Sequence, residues 1–230
     1  MKYVTLLLIA LLASVGCAHR SAQAELEALE SPQGPTWADR IASWPEASQN
    51  AAREMGQKYG SPDEATDTHL VWHERGPWKR SILSRDPVAH DWPEPHLDVL
   101  EQVIDFRVDP ARIDDLARFD GSVMVERTKG ELSARCGGER ANFLAINLAR
   151  DIATGKRSVE EARAFYEEAM AGSANAEKAE YMAQLMFDEV TGETAGPDSA
   201  AAATAKEQTE TAAQRKRRAT EQSGKGATKD

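Results

Sequence analysis

Four of the five histidines in this chain lie between residues 69 and 96, and an aspartate stands two positions beyond the last of them. His69 and His73 are four apart. His90 and His96 flank the short stretch DWPEP, and Asp98 follows. Neutral imidazole and carboxylate are the donors zinc takes at catalytic sites, typically three with one position left open. If the loop folds back over the preceding segment, His69 or His73 meets His90, His96 and Asp98, and metal-assisted hydrolysis becomes available. The spacing is not HExxH or another metal motif. The competing reading is that His69 and His73 line a solvated strand face and that His96 caps a helix or bonds backbone.

Cys136 is the second candidate. It ends an alternating segment and precedes Gly137-Gly138 and a helix expected to begin near Glu139. A thiol near a helix N-terminus, with Arg135 or Arg140 beside it, can have a lowered pKa. A nucleophilic role also needs a base, for which a histidine such as His90 qualifies. Against this, Cys136 shares its strand face with Leu132 and Ala134, and free cysteine more often behaves as a small buried hydrophobe. A third candidate is a binding surface: Trp72 and Trp78 with Lys79 and Arg80, which together suit a peptide, a sugar polymer or a partner protein. The alternative is that the face holding Leu70 and Trp72 is core.

These groups need elements to position them. Pro45 to Tyr59 reads as a helix stopped by Gly60. His69–His73 and Trp78–Leu83 read as strands of a hairpin around Glu74–Pro77. Asp86–Asp98, with Pro87, Pro93 and Pro95, reads as irregular. Val103–Val108 is the best strand in the next segment, and Asp109 caps a short helix from Pro110 to near Phe119. GSVMVERTKGELSARCGG is the clearest hairpin, with Lys129-Gly130 at its turn. Three helices follow. The first carries Leu144, Leu148 and Ile152. The second opens with the capping-box pair Ser158 and Glu161. The third is expected from about Ala174 to Val190. Strand pairs first and helices last predict an α+β fold: two β-hairpins packed with helices, a helical C-terminal half and a disordered tail.

The chain has 230 residues, 41% of them hydrophobic, and a formal net charge of -10. That charge repels phosphate backbones and argues against nucleic acid as a partner. Residues after Val190 include no aromatic or large aliphatic side chain, which gives too little apolar surface to offset chain entropy. The chain therefore divides into 1–16, 17–35, an α+β domain over 36–190, and a tail over 191–230.

The first of these pieces has a signal layout: Lys2, an apolar run from Tyr3 to Ala13, then the small residues Ser14 and Gly16. The run is shorter than the roughly 20 residues a spanning helix needs. Ser14-Val15-Gly16-Cys17 resembles the lipobox of bacterial lipoproteins, although leucine is usual where Ser14 stands. The resemblance implies cleavage before Cys17, diacylglycerol on its sulfur and an acyl chain on the new amine, with two or more chains giving a stable membrane anchor. Ala18, rather than aspartate, implies transfer to the outer membrane. Ordinary signal peptidase cleavage, leaving a soluble periplasmic or secreted protein, is the alternative. The body also resembles uncharacterised bacterial exported proteins through its GPWKR hairpin and its FDGSV…RTKGELSARC…NFLA stretch, over roughly Trp44 to Met170. That likeness brings no activity with it. The expectation is a lipid-anchored, periplasm-facing envelope protein with a binding or structural role, whose partner is an envelope protein or the cell wall. A metal-dependent hydrolase at the histidines, or a thiol enzyme at Cys136, is the rival.

Overall fold

The computed structural model describes residues 36–172, 175–188 and 192–196. The expected signal segment, Cys17, the expected tether over 17–35 and the part of the expected tail beyond 196 lie outside the described residues. The chain divides into two compact units, Met1–Ser43 and Trp44–Asp230. In the first, helix α1 (Trp37–Ile41) opens with a capping box in which Thr36 and Asp39 bond each other's backbone N–H groups. No described helix is long and apolar enough to cross a membrane.

The second unit combines a six-stranded antiparallel sheet with helices. Helix α2 (Glu46–Tyr59) ends at Gly60, whose positive φ of 80° suits glycine. The strands are β1 (Glu64–Ala65), β2 (His69–Arg75), β3 (Trp78–His90), β4 (His96–Asp105), β5 (Val123–Glu126) and β6 (Glu131–Cys136). They lie in the order β1-β2-β3-β4-β6-β5. A 3-10 turn (Pro110–Arg112), capped by Asp109, leads into α3 (Ile113–Phe119) between β4 and β5. Helices α4 (Glu139–Ala153), α5 (Val159–Met170) and α6 (Ala176–Tyr181) follow β6.

Side chains alternate across a strand, and directly paired residues share a face. The register therefore places Leu70, Leu83, Leu100 and Cys136 in one row, and Trp72, Ser81, Gln102, Ala134 and Val123 in the next. Helices α2 and α4 cover this face. Trp78 packs on Phe143 of α4 with ring centroids 4.7 Å apart, and Asn142 of α4 donates to the Leu100 carbonyl oxygen at 2.9 Å. The opposite face carries His69, His73, Arg80, Glu101 and Glu131.

Four sequence expectations change. The tail expected to be disordered from 191 is packed over 192–196, where Thr194 is buried and the Gly196 N–H bonds the Arg127 carbonyl oxygen at 2.8 Å. Asp86–Asp98 is not irregular throughout, because β3 runs to His90 and β4 begins at His96. The strand tolerates Pro87 because the ladder breaks there: Leu83 pairs Leu100, and the next pair is Val88 with Asp98. Strand β4 occupies His96–Asp105 rather than Val103–Val108. The last helix stops at Tyr181, after which the chain follows turns and bends held by Asn147, whose side-chain amide donates to the Tyr181 and Gln184 carbonyl oxygens.

Candidate metal centre

The hairpin end of β3 and β4 carries the site. His90 pairs His96 across the ladder, and Asp98 lies two residues along β4 from His96. All three therefore point to the helix-covered face that Leu100 and Cys136 occupy. The irregular ladder is what places His90 there. Between successive pairs β3 advances from Leu83 to Val88 while β4 moves only from Leu100 to Asp98. The surplus on β3 is an odd number of residues, so it switches the face each later β3 side chain takes. Regular pairing would have presented Ala89 instead.

One donor atom from each of His90, His96 and Asp98 lies within 4.8 Å of the others. His96 Nε2 is 3.1 Å from Asp98 Oδ1, and His90 Nδ1 is 3.5 Å from Asp98 Oδ2. The rings of His90 and His96 lie 4.8 Å apart between centroids. Asp98 is completely buried, while the two imidazoles keep 19% and 26% of their side-chain surface exposed. The site is thus closed at its carboxylate and open at its imidazoles.

The polarity of each contact limits the chemistry. His96 Nδ1 lies 2.8 Å from the Glu94 carbonyl oxygen, which can only accept, so Nδ1 carries the proton. In the neutral ring Nε2 is then a bare lone pair aimed at a carboxylate oxygen. Ser122 Oγ donates to Asp98 Oδ2 at 2.6 Å, but Asp98 Oδ1 has no hydrogen bond. With the ring neutral, two electron-rich atoms face each other in a buried site, an arrangement that a metal cation or a second ring proton completes. The backbone bond expected of His96 is therefore present, and it is also the contact that frees Nε2 for a metal. On the other side, His90 Nε2 faces Asp120 Oδ1 at 3.8 Å. Burial, ahead of every other influence, raises the Asp120 carboxyl above its ordinary range.

His69 and His73 do not join this group. Alternation sends them to the other face of β2, where His73 Nε2 meets Glu64 at 2.7 Å and His69 Nδ1 meets Thr68 at 2.9 Å. Folding the loop back over the hairpin cannot bring them in, because the sheet stands between.

Cys136 is next to the site, with its Sγ 3.5 Å from His96 Nε2 and 3.8 Å from the Tyr166 hydroxyl. Its thiol is not lowered as the helix N-terminus suggested. Burial, and then the Asp98 charge, push it up to about 11, and the Gly137 N–H recovers only part of that. The proximity expected of a thiol and a histidine base is present, but with His96 rather than His90.

The proposed aromatic contact surface is corrected. Trp72 and Trp78 are 0% and 1% exposed. Trp72 Nε1 donates to the Gly60 carbonyl oxygen at 3.0 Å, and Trp78 Nε1 to Glu139 at 2.7 Å. Lys79 pairs with Asp105 and Glu131, and Arg80 holds Glu131 with both terminal nitrogens.

Sequence reasoning missed Asp120, Ser122 and Tyr166 as neighbours of the centre. Asp-Gly-Ser between the buried Phe119 and Val123 was a usable signal for the first two, since Ser122 N–H donates to Asp120 Oδ1 at 2.7 Å in a tight turn. No family model, curated protein or solved structure matches this chain.

Proposed function

We propose that this is a lipid-anchored protein of the bacterial outer membrane, periplasm-facing, whose α+β domain binds a divalent transition metal of the zinc class at His90, His96 and Asp98. The observation that carries the metal reading is the unpartnered buried Asp98 Oδ1, 3.1 Å from a His96 nitrogen whose ring proton is already committed elsewhere. An imidazole pair with a carboxylate is a donor set zinc favours. The partly exposed imidazole edges give an ion its route in. The anchor and the compartment rest on the sequence alone, through the signal layout and Cys17. An envelope protein or the cell wall is the expected partner class. Binding, rather than hydrolysis, is the role assigned to the domain.

Metal analysis of the full mature chain, purified without chelator or histidine tag, tests the first part. One equivalent of zinc is expected, lost in His90→Ala and in His96→Ala. Failure of the wild-type chain to take up zinc after dialysis against the free ion sinks the metal reading. For the anchor, Cys17→Ser should leave an uncut precursor without lipid. Normal processing of that variant to a soluble product removes the lipoprotein reading.

A further inference from the structure

We infer that Cys136 is the fourth ligand of this centre, so that the metal is enclosed by His90, His96, Asp98 and a thiolate, with no position left for substrate. The inference rests on the metal reading of the first three residues and adds the identity of the group that fills the coordination sphere.

Three of the distances approach the edges of a tetrahedron. Zinc holds nitrogen or oxygen at about 2.0–2.2 Å and sulfur at about 2.3 Å, so tetrahedral angles separate N from S by about 3.5 Å and N from O by about 3.4 Å. Cys136 Sγ lies 3.5 Å from His96 Nε2, which lies 3.1 Å from Asp98 Oδ1, and His90 Nδ1 is 3.5 Å from Asp98 Oδ2. Each is near an edge length of a zinc polyhedron, although the two Asp98 edges run to different oxygens; His90, His96 and Asp98 offer atoms that all lie within 4.8 Å of one another, and the Cys136 sulfur turns further inward to complete the set. The strand register explains why the sulfur is there: Cys136 pairs Leu100, one step along the same face from Asp98. The independent observation is the orphaned oxygen of Asp98, completely buried beside the same His96 nitrogen that the sulfur approaches.

Charge supports the same set. On binding, the thiol proton leaves to solvent and the sulfur lone pair fills the fourth position. The thiolate and the Asp98 carboxylate then offset a dication between two neutral imidazoles, with the Arg135 guanidinium, 3.9 Å from Asp98, and the Asp120 carboxyl, 3.8 Å from His90, as the other ionisable groups nearby. The Tyr166 hydroxyl, 3.8 Å from the sulfur, is placed to donate to it. A closed four-ligand zinc is the structural or storage type, whereas catalytic zinc keeps an open position. The same four residues therefore separate a metal-holding domain from a hydrolase.

Cobalt is the probe. The full mature chain carrying Cys17→Ala has Cys136 as its only thiol. Titrated with cobalt(II), it should show one equivalent of tetrahedral visible absorption together with a near-ultraviolet thiolate-to-cobalt charge-transfer band. Cys136→Ser should lose the charge-transfer band and bind cobalt about 100-fold more weakly, or worse, since removing even a group that only supports a ligand typically costs 10–100-fold. The spectrum of the parent chain decides the point by itself if Cys136→Ser fails to fold. Visible bands without the charge-transfer band overturn the fourth ligand and leave a three-ligand, open centre. No cobalt uptake at all overturns both the fourth ligand and the proposed metal-binding function.

Discussion

Asp98→Asn should make the metal-free protein more stable and the metal-loaded protein less so. In the wild type, Asp98 Oδ2 accepts from Ser122 Oγ at 2.6 Å, while Oδ1 is buried without a donor, 3.1 Å from His96 Nε2. Asparagine fits the same volume. Its oxygen can keep the Ser122 bond, and its NH2 group then occupies the Oδ1 position and donates to the free lone pair of His96. A buried polar atom left unpaired costs about 1–3 kcal/mol, and a charged one more. In chelator the variant should therefore gain about 1–3 kcal/mol. Zinc at a hundred times its dissociation constant adds about 2.7 kcal/mol to the wild type. It should add almost nothing to the variant, because the amide contributes no charge and presents N–H to the metal. Urea denaturation at pH 8, with chelator and then with zinc, reads both effects. A loss of more than about 1 kcal/mol in chelator would show that Asp98 is already satisfied by an imidazolium, and that the group is a finished ion pair rather than a metal site.

Substitutions at three further positions test the packing around the sheet. Glu139→Ala removes the acceptor shared by Tyr59 OH at 2.6 Å and Trp78 Nε1 at 2.7 Å, along with the Lys58 ion pair. Two stranded donors at about 1–3 kcal/mol each predict a loss of about 2–5 kcal/mol, read from the urea midpoint, with Glu139→Gln losing less. Glu131 accepts from both terminal nitrogens of Arg80, which, ahead of opposing burial, holds its carboxyl at about 2 against an ordinary 4.5. Its stabilisation is therefore complete above pH 4.5 and drains as pH falls toward 2, and Glu131→Gln should flatten that acid limb while costing about 1.5–3 kcal/mol at pH 7. Gly130 holds a φ of +69°, and an added Cβ would stand 2.1 Å from the Thr194 carbonyl carbon. Gly130→Ala should displace the segment 192–196, seen as faster amide exchange at Gly196, whose N–H bonds the Arg127 carbonyl oxygen at 2.8 Å.

Where the structure follows the sequence, a local signal had a local cause. Ser158 and Glu161 form both halves of their capping box, at 3.1 and 2.8 Å, because that motif needs only four consecutive residues. The Lys129-Gly130 turn joins β5 and β6 because alternating apolar residues flank a position that requires positive φ. The last helix failed the same logic. Met182, Leu185 and Met186 have helical spacing, but their stretch is held by Asn147, which donates to two carbonyl oxygens and accepts the Met186 N–H at 2.8 Å. Those partners are 34 to 39 residues away in sequence, and no window of helical periodicity contains them.

The centre was half legible for a related reason. Residue types picked out His90, His96 and Asp98, which the fold brings together, since few side chains bind metal and these three cluster in sequence. Which face each occupies depends on how many residues separate it from a paired neighbour, and that count is set by the break in the β3–β4 ladder. Proline marked the place but was read as the end of the strand, whereas it sits where β3 carries unpaired residues. The same parity argument removes His69 and His73, which share a residue type with the donors and lie on the wrong face. It also brings in Cys136, forty residues from His96 in sequence, because β6 pairs β4 in a register that puts Cys136 beside Leu100. A deletion within Ser84–Pro87 that removes one residue should therefore turn His90 away from the centre while leaving His96, Asp98 and Cys136 in place. Cobalt affinity should fall with the thiolate charge-transfer band retained. Unchanged affinity would mean that His90 is not a ligand and that the ladder break has no part in building the site.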